Sequence, residues 1–437
     1  MTGQAPAALL PRLSAMMFLQ FFIWGSWFVS MPDWMKAQKI EGLTAWAYTV
    51  CPIAAVISPF LVGMIADRYF ATQRVLGVLH LLGGAIFMAL PTVVMNANQP
   101  APDEASASFT HPFILMLLAY ALCYMPTLSL TTSLALAQMN EPSKQFPLVR
   151  VLGTIGWIVG NIIVGGSFKL GGTTYTWIEG GTASSAQWYV VGAASIVMGL
   201  YSFALPHTPP PAAGKKITTR EVLGLDSLKL LSNRSYLIFA ICSFLLCIPL
   251  AGYYSQTFNF LNYVTASNPT LAGSNMFYMS CGQISEILFM LLMPLCFARL
   301  GVKWMLAVGM FAWVVRYGLF AGAAGDQIFW MTLLGIVLHG ICYDFFFVTG
   351  FIYVDKVAPA HIRNQAQGFL VLITQGLGMG IGAILFGKLV AQAKLEHAEA
   401  SDQWRYIWIA PAVFALVVMI MFIIGFKSEP KKPLPAA

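Results

Sequence analysis

Of the seventeen acidic residues in this 437-residue chain, two stand inside long apolar runs: Glu286, in Ser280-Cys-Gly-Gln283-Ile-Ser285-Glu286, and Asp344, in His339-Gly-Ile-Cys-Tyr343-Asp344-Phe. Gln283 and Glu286 are three apart, so an amide and a carboxylate share one helix face and can offer donors and acceptors together to a polar solute. His339 and Tyr343 are four apart and share a face, whereas Asp344 projects well round from His339, so contact between those two needs a favourable helix crossing or a water. Upstream, Arg150, Thr154 and Trp157 follow at i, i+4 and i+7 in a helix that the spacing starts at Pro147, giving one stripe of cation, hydroxyl and aromatic. An ionisable side chain at bilayer depth costs about 2.5–3.5 kcal/mol on insertion scales, so such residues ordinarily mark solute or proton pathways. Two plainer alternatives stand beside that reading. Glu286 and Asp344 could pair with Arg316 or Arg150 for stability alone, and Arg150 could snorkel to the membrane surface.

The elements that must hold these residues follow from composition. The chain is 58% hydrophobic and 9% charged, with a mean hydropathy of +0.73, where soluble domains are about a quarter charged. A membrane helix needs about 20 mostly apolar residues. Twelve such stretches recur, near 14–33, 44–65, 75–95, 112–135, 148–168, 187–206, 235–258, 273–297, 303–324, 328–353, 365–389 and 404–426. Met1–Pro11 lacks a basic start and a small-residue cleavage pattern, so the first run reads as a retained helix. The +7 net charge sits asymmetrically. Arg68, Arg74, Lys215, Lys216, Arg220, Arg299, Lys303, Arg363, Lys427, Lys431 and Lys432 fall in alternate loops and the C-terminal tail; the other loops hold mainly Lys36, Lys39, Lys169, Lys388, Lys394 and Arg405. This positive-inside bias puts both termini and the central loop in the cytoplasm and accounts for the basic balance without nucleic acid. The seven cysteines lie in apolar runs with no CxxC or His-rich spacing and read as packing residues, giving neither a disulfide framework nor a metal site. His80 reads as a satisfied core histidine, and Trp24, Trp27, Trp34 and Trp177 as interfacial aromatics without a functional role.

The longest polar interruption, Pro206 to Asn233, carries a turn-rich Pro206-His207-Thr208-Pro209-Pro210-Pro211 and an amphipathic segment over 221–229 that reads as a helix on the membrane surface. Six spans precede it and six follow, and the halves echo each other. Gly63-Met-Ile-Ala-Asp67-Arg68 after the second span and Phe297-Ala-Arg299-Leu-Gly301-Val-Lys303 after the eighth are both tight turns carrying cations, the phase expected of two bundles that rock about a central site. The first turn resembles the signature loop of the major facilitator superfamily, which specifies superfamily and not substrate. The resemblance implies a local role, a conformational latch built from Gly63, Asp67 and Arg68, with Asp67 near a helix end pairing with a cation. Gly153, Gly156 and Gly160 in the fifth span and Gly376, Gly378, Gly380 and Gly382 in the eleventh read as close helix contacts.

Gln20-Phe-Phe-Ile-Trp24-Gly-Ser-Trp27, Tyr124-Met-Pro-Thr-Leu128, Arg150-Val-Leu-Gly-Thr154-Ile-Gly, Leu205-Pro-His, Leu223-Gly-Leu-Asp226, Gln283-Ile-Ser-Glu286 and Asp344-Phe-Phe together resemble the bacterial nucleoside:proton symporter family of that superfamily, in order along nearly the whole chain. The resemblance implies that Arg150, Thr154, Gln283, Glu286 and Asp344 line the substrate site. It implies further that Trp157 and Tyr343 stack on the base, that Glu286 and Gln283 face ribose hydroxyls or the base edge, and that Asp344 is the protonation site, with Glu286 the second carboxylate of the coupling pair. Two departures from the family pattern bear on specificity. Where the family carries an amide pair in the seventh span this chain has Ala251 and Tyr254, with Gln256 and Asn259 further along, and His339 stands where a tyrosine is usual.

The expectation is an all-α membrane protein of twelve transmembrane helices, with bundles over 1–206 and 234–437 joined by a cytoplasmic linker over 207–233. It is expected to import a nucleoside with a proton across the bacterial inner membrane as a monomer, partnered by bilayer, proton and a small polar solute, with no cofactor, metal or nucleic acid. Rival readings are a symporter for another hydroxylated metabolite such as a sugar, and a sensor of the same fold that binds without transporting. The sequence shows no nucleophile–base pair, phosphate-cradling glycine loop or metal cluster, which disfavours an enzyme or an ATP-driven pump.

Overall fold

The computed structural model describes residues 9–95, 109–165, 167–170, 173–210, 227–266, 268, 271 and 275–427. Among the described residues, ten helices are long and apolar enough to cross a membrane. One of them, Phe277–Ala323, is two helices turned sharply at Gly301 (φ +68°), a left-handed conformation that only glycine adopts without penalty. With the 17-residue helix Ala186–Ser202, twelve spans result. They are α1 (Leu9–Phe28), α2 (Thr44–Arg68), α3 (Thr72–Met95), α4 (Pro112–Ala137), α5 (Pro142–Gly165), α6 (Ala186–Ser202), α7 (Arg234–Thr265), α8 (275–300), α9 (302–326), α10 (Phe329–Val357), α11 (Ala360–Glu396) and α12 (Ala400–Gly425).

Helix ends follow local chemistry. The Asn233 side chain accepts from the N–H groups of Ser235 (2.9 Å) and Tyr236 (3.1 Å) at the start of α7, and His111 Nδ1 accepts from Phe113 N (3.2 Å) just ahead of Pro112. The helix carrying Arg150 begins at Pro142, five residues before the expected Pro147, because Pro142 takes the first-turn position and Pro147 is accommodated inside the helix. A two-stranded antiparallel hairpin, β1 (Ser167–Leu170) and β2 (Thr173–Thr176), lies between α5 and α6 and was not foreseen in the apolar pattern. The expected surface helix over 221–229 lies outside the described residues up to 226; Ser227–Ser232 forms a short 3₁₀ segment leading into α7.

The buried apolar residues gather in two clusters. One is drawn chiefly from α1 to α6, with Met290, Met293 and Phe345 reaching in from α8 and α10; the other is drawn from α7 to α12. Aromatic rings expected at the interface are core instead: Trp27 and Trp34 are fully buried, with Trp188 packed against both. Between the clusters, α2 packs on α11 and α5 on α8. Glycines permit the tightest approaches, as expected. A Cβ at Gly160 would lie 2.6 Å from the Phe22 carbonyl of α1, and one at Gly382 2.9 Å from the Ile248 carbonyl of α7.

The Asp67 turn joins the two clusters at one end of the molecule. Asp67 is fully buried; its Oδ1 accepts from Asn364 N (3.2 Å) and Asn364 Nδ2 (2.6 Å), and its Oδ2 from Gln365 N (3.0 Å). The expected cation partner is therefore replaced by free N–H groups near the start of α11, where unsatisfied donors and the helix dipole favour a carboxylate. Gly63, one turn earlier, makes room: a Cβ there would lie 2.8 Å from Asn364 O. Arg68 is buried alongside, and Arg363 pairs instead with Asp355 (2.9 Å) across the α10–α11 turn.

Candidate functional site

α5 and α8 pack together and bring residues from the two apolar clusters into contact. Thr154 Oγ1 donates to Glu286 Oε2 at 3.1 Å, and Arg150 Nη2 donates to the Tyr343 hydroxyl at 3.2 Å. Glu286 Oε1 lies 2.9 Å from His339 Nε2. The sequence stripe on α5 thus meets both polar faces of the later half, that of α8 through Glu286 and that of α10 through His339 and Tyr343. Arg150 is buried with its guanidinium 3.9 Å above the Phe21 ring and 5.6 Å from that of Tyr343, so it is not a surface-snorkelling arginine. Trp157 is half-buried and stands edge-on to Trp24 at 5.6 Å; Trp24 also meets Tyr124 at 5.9 Å, placing this tryptophan in the site wall rather than in an interfacial belt.

Among the described residues no salt bridge joins Glu286 or Asp344 to Arg316 or Arg150, although Arg150 acts on Asp344 through its charge. Arg316 is fully buried, donates from Nε to the Gly335 carbonyl (3.1 Å), and lies 4.2 Å over Tyr253 and 5.3 Å from Trp313, with no carboxylate partner among the described residues. Asp344 is fully buried, and neither carboxylate oxygen has a hydrogen-bond partner among the described residues; Glu286 and Arg150 are the charged groups acting on it. It opens a π turn, Asp344–Val348, inside α10, and a second π turn, Leu372–Gly378, interrupts α11. Such turns carry an extra residue, shift the facing of everything beyond them, and occur frequently at functional positions. His339 and Asp344 make no direct contact, in line with their angular offset, whereas the His339 and Tyr343 rings lie 6.0 Å apart on one face. Gln283 is half-buried and forms no hydrogen bond to a described residue.

On α7, Tyr253 stacks nearly parallel on His339 (5.1 Å, 12°), and Tyr254 meets it edge-on (6.1 Å, 78°). Tyr254 is 50% exposed, whereas its neighbour His339 is buried. Tyr253, Phe21 and Trp24 were missed from sequence because each acts across a helix boundary that no spacing reveals. His80, by contrast, is satisfied as expected: Nε2 bonds Gln20 Oε1 (2.9 Å) and Nδ1 faces Ser195 Oγ (3.3 Å), while Gln20 Nε2 donates to Thr127 (2.7 Å).

Twelve membrane helices, two apolar cores and a buried seam of charged, hydroxyl and aromatic groups between them are the architecture of a secondary transporter. Residues 8–431 match the family described as Nucleoside H+ symporter. The chain belongs to that family, and hence to the major facilitator superfamily. It is similar to YegT of Escherichia coli (strain K12), 38% identical over 96% of this chain and 94% of that protein. It is also similar to the xanthosine permease of the same strain, 32% identical over 96% and 97%. The crystal structure of the nucleoside transporter NupG aligns with a TM-score of 0.63 and 28% identity, covering 96% of this chain and 99% of that one.

Proposed function

We propose that this chain carries nucleosides inward with a proton across the bacterial inner membrane by alternating access, its termini and the Asp67 end in the cytoplasm. The units that rock are residues 1–206 and 234–437. The observation that carries the site assignment is the pair of hydrogen bonds spanning the seam, Thr154 to Glu286 and Arg150 to Tyr343. Any separation of the halves at this level breaks both bonds, and a bound solute with several hydroxyl and amino groups replaces them. Binding and the position of the halves are thereby linked. Glu286 and Gln283 take substrate hydroxyls or a base edge, and Arg150 and Thr154 hold the opposite side. Trp157 and Tyr343 supply flat apolar faces for the base.

Asp344 is the coupling residue in this scheme. Its charged form is buried without hydrogen bonds and attracts Arg150; protonation removes that attraction and leaves Arg150 to Tyr343 and to the solute. Its neighbour Glu286 feels the same loss of charge. The test is uptake of labelled nucleosides and sugars by purified protein in proteoliposomes, with and without an imposed pH gradient. Accumulation of nucleosides driven by an inward proton gradient supports the reading. Uptake of sugars alone, or binding without uptake, overturns it.

A further inference from the structure

We propose that His339 is a specificity-determining residue that does two things at once: Nε2–H presents Glu286, while Nδ1 accepts a hydrogen bond from a donor on the substrate. This rests on the site assignment above and adds the chemical feature that the solute must carry, an O–H or N–H group on the Nδ1 side of the ring.

The argument begins with Glu286. Its Oε2 already accepts from Thr154, and its Oε1 faces His339 Nε2 at 2.9 Å. A carboxylate is acceptor-only, so Nε2 must carry the proton. His339 is buried, and the ring it stacks on carries the Arg316 guanidinium at 4.2 Å, so both desolvation and a nearby cation oppose a charged imidazole. A neutral ring donating from Nε2 leaves Nδ1 a bare acceptor. Nδ1 is buried and has no partner among the described residues, and a buried acceptor left unpaired is costly.

Turning the ring would give up the Nε2 contact with Glu286. One face is stacked on Tyr253, itself backed by the Arg316 guanidinium at 4.2 Å, and the edge of Tyr254 closes on it at 78°. On the α8 side, Gly282 leaves room for the His339 Cβ, which would lie 3.3 Å from any Cβ placed there. Nδ1 is enclosed in this conformation, so a solute reaches it when the halves separate, past the half-exposed Tyr254 at the edge of the ring. The two ring nitrogens point in well-separated directions, so Nδ1 reads a different part of the solute from the part Glu286 reads. A single hydroxyl donates and accepts at one atom, whereas the neutral imidazole separates its donor from its acceptor across the ring.

The experiment is calorimetric titration of the full-length detergent-solubilised protein with adenosine, inosine, xanthosine, cytidine and uridine. The tightest of these is then compared with its 2′-, 3′- and 5′-deoxy forms and with its N-methylated base. His339→Gln retains a donor near the Nε2 position but has nothing at Nδ1. It is expected to lose about ten-fold in affinity for the parent nucleoside and to bind one analogue as well as it binds the parent, where wild type discriminates about ten-fold. Whether that analogue is a deoxyribose or a methylated base identifies the donor. Equal weakening toward every ligand, or affinities within two-fold of wild type throughout, overturns the proposal. A second measurement needs no ligand: in ¹⁵N-histidine-labelled wild type, the resonances absent from His339→Gln must show an unprotonated Nδ1 and a protonated Nε2. A protonated Nδ1 overturns the proposal even if nucleosides bind, and failure of all nucleosides to bind wild type counts against the transport reading while this spectrum still decides the role of His339.

Discussion

At the scale of residues, the site divides into groups already engaged and groups left open. Glu286 is held by Thr154 and His339, so Glu286→Gln removes one charge while keeping the shape. The variant is expected to fold, to bind nucleosides about ten-fold or more weakly, and to lose most toward ligands rich in hydroxyls, because a hydrogen bond to a charged acceptor is worth about 1.5–3 kcal/mol. Calorimetry with ribo- and deoxyribonucleosides reads this out, and equal binding of all ligands would make Glu286 structural. Asp344 is the opposite case, its oxygens having no partner among the described residues. Asp344→Asn mimics the protonated form and cannot release a proton. It should retain substrate binding and exchange but lose accumulation driven by pH or voltage. If it still accumulates nucleoside on an imposed proton gradient while His339→Asn does not, the histidine carries the proton and Asp344 does not.

At the scale of elements, the contact between the Asp67 turn and the start of α11 is the feature that closes one end of the molecule. It consists of three hydrogen bonds to one buried carboxylate. Asp67→Ala deletes all three and should bias the population toward the state open at this end. In a cysteine-free background, Ser133→Cys, buried near this contact, is then expected to react about ten-fold faster with a membrane-permeant thiol reagent. Unchanged labelling would show that α2 and α11 stay closed without the latch. The glycine contacts give a second element-level expectation. Gly160→Leu forces a side chain against the Phe22 carbonyl, and overpacking of this kind costs about 1–3 kcal/mol. A lowered melting temperature in detergent with nucleoside affinity largely kept in the surviving folded fraction is the expected signature.

At the scale of the whole molecule, the cation bias among loops sets a topology. Position 215 should face the cytoplasm and Glu179 and Glu396 the outside. Single cysteines at these positions, after removal of the seven native ones, are expected to label from outside only at 179 and 396. Labelling at 215 in intact cells would reverse the assignment. The energetics of transport follow from the same orientation: one charge crossing 100 mV is worth about 2.3 kcal/mol, enough for roughly 50-fold accumulation of a neutral solute. Uptake at a clamped potential in proteoliposomes measures whether one proton per solute accounts for the limit reached.

The spans, their number and the two-half layout were legible because bilayer solvation leaves a mark on every stretch of about 20 residues. Arg150, Thr154, Glu286 and Asp344 were legible for the complementary reason, since polar groups at that depth are too costly to be common. Periodicity also placed His339 and Tyr343 on one face and Asp344 off it. What sequence left open was partnership. Whether Glu286 meets Arg316, Arg150 or His339 depends on which helices cross and at what height, and α5 meets α8 and α10 from residues 132 and 193 positions away in the chain. The same holds for Asp67, whose donors near the start of α11 lie 297 and 298 positions away, and for Trp24, which composition places in a membrane interface and packing places in the site wall. Local pattern fixes which side chains an apolar solvent will tolerate on each helix. The pairing of those side chains is a property of helix packing, and only the assembled bundle decides it.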